Sequence, residues 1–535
     1  MYCANCVRLT GFKRAGTVFG VKPNNREYPY RERAILVVDL SKERYQFIKL
    51  EMVLAKKMLG GRLMALSLWN SYCNYQKLGP TDYEEGNPIV IAAGSASDLD
   101  NPILSGFVVT TRSPVTGGIV TYAGHGGFAK VLYGCGVCAM VIQGRRSRTT
   151  VLGVREKQVT FSVNEQLHNL TISDCRAQFP SVPMVAIGPA AEQQVMQSSV
   201  NFDGENLGRA GIGVVFSRKN LKAITFFPTH KERTSYNPQD LGRLSEMVDK
   251  MEARQIPRSL ISYANKNGWC AINGFQDRVD GRLWALEGQK PLLPSIALGA
   301  NLGLFDPKHI NPIIVACSEL GLDPFSCGVL LLWLADKGTV DPLRTLESIA
   351  YGKGFAMDLP AKVPASFYKI GNLELAPFDL RALPPQALLA SLGDDTIVFP
   401  CLIHGGRYRR GRELHYARMA VYCQDLRYTM ESLGVPYDQS FVCFNQYLPF
   451  LSHPFRMLAR LAMDSEGYPF SESKTREIGK ACYRVQKEIN RLLGYVEPEM
   501  VPDQLTTDPS SNHPHPAVVV LPRLIEAFHF LRSNV

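Results

Sequence analysis

From Ala34 to Phe227 the apolar residues fall in short β-branched runs bounded by Gly, Pro, Asn or Asp, the signature of strands joined by turns. Ala34–Leu40, Pro88–Ala93, Gly106–Thr111 and Cys138–Ile142 each predict a strand, and Thr149–Val163 predicts a hairpin. Two helices are expected among them, over Val53–Trp69 and over Phe128–Leu132 with its flanks. The second opens where Gly126-Gly127 would aim backbone amides at a ligand. After Pro228 the apolar spacing changes to three and four, which predicts amphipathic helices over Gln239–Ala253, Pro312–Leu320, Ser326–Asp336, Asp341–Tyr351, Pro385–Leu392, Leu414–Leu433, Leu448–Met463 and Thr475–Leu493. The reading is an α+β protein. Its parts are an N-terminal extension (1–33), a β-rich domain (34–227), a helical domain (228–395) and a second helical domain (396–535). Pro-rich stretches at Leu359–Pro364, Ala376–Pro385 and Glu497–His515 read as surface crossings, the last of them mobile.

Composition narrows the class. A chain of 535 residues with 45% hydrophobic content exceeds one ordinary core, so two or three domains are expected. The longest uncharged apolar run, Val329–Ala335 with its flanks, falls well short of the roughly 20 residues of a spanning helix, and no membrane span is expected. The first residues, Met1 to Cys6, show no basic stretch followed by an apolar core, which points to the cytoplasm. Thirteen cysteines in that setting are reduced, as core packers, metal ligands or redox thiols. A formal charge of +10 favours an acidic partner or an anionic cofactor. Nucleic acid is not expected, because only Arg145–Arg148 and Arg407–Arg412 are dense in charge, and both read as solvated loop faces.

The chemistry-bearing feature is a set of glycine-rich blocks in the β-rich part. Ser113-Pro114-Val115-Thr116-Gly117-Gly118 leads to Gly124-His125-Gly126-Gly127-Phe128, and Gly208-Arg209-Ala210-Gly211-Ile212-Gly213 leads to Lys219-Asn220-Leu221-Lys222-Ala223-Ile224. Glycine admits positive φ and close approach, so such loops suit a bulky anionic guest. With Leu59-Gly60-Gly61-Arg62 and Ile187-Gly188-Pro189-Ala190-Ala191-Glu192, these blocks resemble, in order and spacing, the N-terminal domain of the aldehyde ferredoxin oxidoreductase family of tungsten-pterin enzymes. Further on, Ala297–Leu304, Glu319–Asp323 and Asp438–Phe444 resemble the family's pterin-binding segments. The resemblance implies a β-rich base of two packed sheets beneath mostly helical domains, in a shortened and partly degenerate member. It implies a tungsten- or molybdenum-bis-pterin held by Gly117, Gly126, Gly127, Gly208, Arg209, Gly211, Gly213, Asp323 and Asp438. It also implies a 4Fe–4S cluster ligated by Cys270 and Cys443, and electrons passed from an aldehyde to a ferredoxin-like carrier.

Several positions depart from that pattern. Around Asn267-Gly268-Trp269-Cys270-Ala271-Ile272-Asn273-Gly274-Phe275-Gln276-Asp277 one cysteine remains where the family has three, with Asn273 and Asp277 in the other places; neither supplies the thiolate that an iron needs. Cys3-x-x-Cys6 and Cys135-x-x-Cys138 have metal-ligand spacing, and small buried cysteine is the ordinary reading of the second pair. Phe107 and Gly124 stand where the family has an Arg and an Asn at the pterin phosphate, and Ser318 stands for an Asp. Two readings follow: an oxidoreductase of the family, or a paralogue that keeps the fold and serves as a binding or structural partner beside an active homologue, in a homo- or hetero-oligomer. His125 would point into the binding floor, whereas His404 and His415 read as turn and helix-face residues.

Overall fold

The computed structural model describes residues 33–51, 57–78, 83–99, 101, 104–229, 292–338, 340–375, 384–394, 411–435, 454–466, 470–506 and 520–533. Gln239–Ala253, His404, Asp438, Cys270, Cys443 and the Cys3/Cys6 pair lie outside these residues. The β-rich part holds two six-stranded sheets. In the first, the strands are β1 (Arg33–Asp39), β2 (Arg44–Leu50), β3 (Ile89–Ala93), β4 (Phe107–Arg112), β5 (Ile119–Gly124) and β6 (Val137–Gln143), in the order β2-β1-β6-β3-β4-β5. In the second they are β7 (Thr150–Arg155), β8 (Gln158–Val163), β9 (Met184–Ala186), β10 (Val200–Phe202), β11 (Glu205–Leu207) and β12 (Leu221–Phe226), in the order β11-β10-β9-β12-β7-β8. Only β1 with β6 and β12 with β7 run parallel. Strand β3, Ile89-Val90-Ile91-Ala92-Ala93, is antiparallel to both its neighbours and reads as a continuous apolar run because every residue is buried, whereas exposed β8 alternates.

An aromatic cluster fills the space between the two sheets. The Phe107 ring lies 5.0 Å from Phe202 and 5.1 Å from Phe128, and Phe128 lies 5.1 Å from Phe226. These edge-to-face and tilted contacts add to the area that each ring buries.

Helix α1 (Gly61–Tyr72) packs on β3 and β4, and α2 (Phe128–Gly134) and α3 (Ile212–Arg218) follow the glycine blocks. The second half is mainly helical: α4 (Pro307–Glu319), α5 (Pro324–Ala335), α6 (Glu413–Leu433), α7 (Pro454–Glu466), α8 (Glu472–Leu492) and α9 (Leu521–Ser533), with shorter helices at Leu292–Leu298, Pro342–Ala350 and Pro384–Ser391. Helix α9 extends the expectation, which stopped at Leu493; Leu521, Leu524, Ile525 and Phe528 recur at helical spacing and are buried. A two-stranded hairpin, Lys369–Ile370 with Leu373–Glu374, sits within this helical half. Among the described residues no helix is long and apolar enough to cross a membrane.

The halves are joined by close backbone contact and by buried charge. The C-terminus of α6, capped by Gly434 in the left-handed region, docks on the first sheet: Ser95 N–H donates to Ser432 O (3.1 Å), Ala96 N–H to Leu433 O (2.9 Å) and Gly106 N–H to Gly434 O (3.1 Å). Side-chain atoms would block this approach, since a Cβ on Gly106 would stand 2.7 Å from Gly434 Cα. Beside it, Arg62 of α1 donates to Glu431 Oε2 (2.6 Å) and to Gln486 Oε1 (2.9 Å). Arg427 donates to both Asp394 oxygens (3.1 and 3.2 Å), and Arg532 of α9 donates to Asp425 Oδ1 (2.7 Å). Three guanidinium groups thus face three carboxylates, all buried, and the sum is neutral. Removing any one of them leaves an uncompensated buried charge.

Candidate functional site

The Ser113 and Gly208 blocks lie against one another in the β-rich part. Ser113 Oγ accepts the Val115 and Thr116 N–H groups (3.0 Å each) and donates to Ala210 O across the gap (2.7 Å). Gly117 has φ +77° and donates its N–H to Ser113 O at 3.0 Å, closing the turn. Gly211, at φ +77°, caps α3, and a Cβ there would meet the Pro114 ring at 2.5 Å. Gly213 faces Ser198 and Ser199 as closely, and Gly208 lies between Ile212 and Tyr122. Three of these glycines therefore pack against the protein's own residues. Gly117 and Gly127 differ, with nothing within 4 Å of where a Cβ would stand.

The Gly124–Gly127 block has an internal anion. The tight turn at Asp203-Gly204, both at positive φ, reverses the chain between β10 and β11 and sets Glu205 opposite Phe202. From there Glu205 Oε2 accepts the N–H groups of His125 (2.9 Å) and Gly126 (2.7 Å). Two converging backbone amides are an anion seat, and here a carboxylate of the same chain takes it. At the same strand end, a Cβ on Gly124 would lie 2.5 Å from Phe107 Cζ and 3.1 Å from Glu205 Oε2. The ring of Phe107, 1% exposed, fills that space. The His125 carbonyl accepts the Ser105 hydroxyl.

Arg209 and Asp323 are brought together although 114 positions separate them in the chain. The Arg209 guanidinium, buried, lies 3.6 Å from Asp323 Oδ2 and donates to the Glu374 carbonyl. Asp323 caps α5, accepting the Phe325 (3.3 Å) and Ser326 (2.8 Å) N–H groups. Burial pushes its pKa up, while Arg209 and the capping bonds pull the other way. Glu374, which the sequence reading missed, accepts Gln197 Nε2 at 2.9 Å and lies 3.7 Å from Lys369 Nζ. Two cations and two carboxylates thus balance in a buried cluster.

A cavity of about 220 Å³ opens beside this cluster, lined among others by Thr116, Arg209, Glu374, Gln386, Tyr495 and Pro498. It is smaller than the roughly 300–1,000 Å³ of sites that enclose a drug-sized ligand. Its polar lining residues are one arginine, one glutamate and a few amide- and hydroxyl-bearing side chains in an otherwise apolar wall. Cys135 and Cys138 are both buried, their thiols directed at the Val154 and Ala34 carbonyls, and burial pushes Cys135 up to about 11. His415 is exposed on α6.

Two six-stranded sheets under a helical half, with glycine-rich loops packed together in the β-rich part, define the class, and comparison with known proteins says what the chain resembles. The description "Aldehyde ferredoxin oxidoreductase, N-terminal domain" matches residues 35–227. The tungsten-containing aldehyde ferredoxin oxidoreductase of Pyrococcus furiosus is 26% identical over 343 residues, 54% of this chain and 56% of that protein. The chain thus spans little more than half the length of this relative. The enzyme of the same name from Thermococcus kodakarensis is 23% identical over 577 aligned positions, 90% of this chain and 92% of that protein. Among solved structures, the active site complex BamBC of benzoyl coenzyme A reductase, in complex with 1,5-dienoyl-CoA, shares the fold with a TM-score of 0.73 at 16% identity, over 94% of this chain and 95% of that one. Residues 35–227 thus match the N-terminal domain of the aldehyde ferredoxin oxidoreductase family, and over most of its length the chain is similar to proteins of that name.

Proposed function

We propose that this chain keeps the family scaffold while its own side chains close the phosphate end of the pterin floor, and that it works as a binding or structural partner of an active homologue. The observation that carries this reading is the Glu205 carboxylate on the amides of His125 and Gly126. A pterin phosphate brought to these amides would face a like charge at hydrogen-bond range, which costs rather than stabilises. The phenyl ring of Phe107 stands where the family's guanidinium would offset that charge, and an aromatic ring packed among Phe128 and Phe202 cannot do so. With Glu205 on its amides and Phe107 beside them, this floor does not fit the phosphate of a tungsten- or molybdenum-pterin. The partner expected is a homologous subunit in a hetero-oligomer, in a cytoplasmic setting.

A second reading keeps the chain as an oxidoreductase. It is favoured by the names of the relatives and by the meeting of Arg209 with Asp323. In that case Gly117, Gly126, Gly127, Gly208, Arg209, Gly211, Gly213, Asp323 and Asp438 would hold the pterins. Cys270 and Cys443 would hold a 4Fe–4S cluster, and a ferredoxin-like carrier would take the electrons. The two readings separate on a spectrum and an assay: full-length protein is purified without oxygen from tungstate-supplemented cells and tested for aldehyde-dependent reduction of a viologen dye. The partner reading expects colourless, inactive, folded protein that co-migrates with a full-length homologue when the two are co-expressed. Brown protein that reduces the dye with an aldehyde supports the enzyme.

A further inference from the structure

The chain leaving α8 carries two faces. Val496, Pro498 and Met500 line the cavity described above, and the alternate residues Glu497 and Glu499 meet His529 of α9. Nε2 of His529 lies 3.7 Å from Glu497 Oε2 and 4.0 Å from Glu499 Oε1, and one ligand atom from each of the three residues falls within 4.8 Å of the others. These separations are too long for hydrogen bonds. They are close to those between ligands of one ion, because two atoms bound at about 2.1 Å to a tetrahedral centre stand about 3.4 Å apart.

We propose that Glu497, Glu499 and His529 form a divalent-cation site, for an ion of the zinc, iron or manganese class, that ties the 495–500 segment to α9 and so fixes one wall of the cavity. Two carboxylates and an imidazole are a donor set these ions accept. Both carboxylates stand within 4.0 Å of the His529 imidazole, so a cation placed among them relieves the repulsion between the two like charges. A dication at the centre neutralises both carboxylates and leaves its remaining positions to water on the side where Glu499 is 55% exposed. Backbone already anchors one end of the segment, since Glu499 N–H donates to Ser391 O at 2.7 Å. A metal would add the link to α9, between parts of the chain 30 residues apart.

The test uses Mn2+ as probe, because it prefers oxygen and nitrogen donors and leaves the cysteines aside. Full-length protein stripped with a chelator is titrated with MnCl2, and free ion is read by electron paramagnetic resonance. One bound equivalent is expected, displaced by Zn2+. His529→Ala and Glu497→Gln should each weaken it by at least about tenfold, with unchanged far-ultraviolet circular dichroism. Should either variant misfold, Glu499→Gln replaces it, since that side chain is largely in solvent and its loss spares the fold. Wild-type protein that leaves Mn2+ free at millimolar concentration, or folded variants that bind as tightly as wild type, overturn the proposal.

Discussion

Two sets of glycines that look alike in the sequence do different work. Gly61, Gly94, Gly106 and Gly434 sit where backbone meets backbone between the sheet and α6, and a side chain on any of them would collide with main-chain or buried atoms. Gly117 and Gly127 also take positive φ, but the space beyond them is open. The first set joins the two halves of the protein, and the second lies in the glycine loops that resemble the family's cofactor floor. A member that no longer binds its cofactor can lose the second kind of constraint without losing the fold. On the proposed reading the floor has changed in this way: Glu205 and Phe107 occupy the ground beside it, while backbone hydrogen bonds hold the seam with α6.

Substitutions break or sharpen that contrast, from the largest effect downward. Gly61→Ala combines a left-handed φ of +44° with a clash against the Glu431 carbonyl. It should abolish soluble expression or cost about 4 kcal/mol or more in chemical denaturation. Arg62→Ala leaves Glu431 and its buried neighbours short of one positive charge, and a loss of about 3–5 kcal/mol is expected in the same experiment. Glu205→Gln removes a charged acceptor from two amides. It should lower stability by about 1–3 kcal/mol, and hydrogen exchange at His125 and Gly126 should quicken. Gly127→Ala meets nothing in space and bears only the left-handed backbone, φ +89°, about 1 kcal/mol. If Gly127→Ala proves as damaging as Gly61→Ala, the division into seam and floor glycines is wrong.

Much of the architecture could be read before any coordinates. Buried strands such as Ile89–Ala93 and the helical spacing over Glu413–Leu433 are strong local signals that packing reinforces. The cap by Asp323 is local too, as its side chain reaches only the next two or three amides. What could not be read depends on contacts distant along the chain. Glu205 lies 79 residues from Gly126, and nothing in the spelling of either loop brings them together. The two kinds of glycine are likewise indistinguishable in sequence, because what separates them is the partner across the gap. Phe107 is the exception: its identity already departs from the Arg that the resemblance implies there, and the structure adds what the ring does instead. Helix α9 had a readable pattern at Leu521, Leu524, Ile525 and Phe528, but the proline- and histidine-containing stretch before it masked the signal.

The most direct check is the tungsten and molybdenum content of the folded full-length protein, purified without oxygen from cells supplied with both oxyanions and measured by mass spectrometry beside an active homologue made in the same host. With Glu205 and Phe107 in place, well below one-tenth of an equivalent of either metal should be found, and the protein should unfold cooperatively all the same. One equivalent of tungsten or molybdenum per chain, retained through purification, would contradict the closed floor.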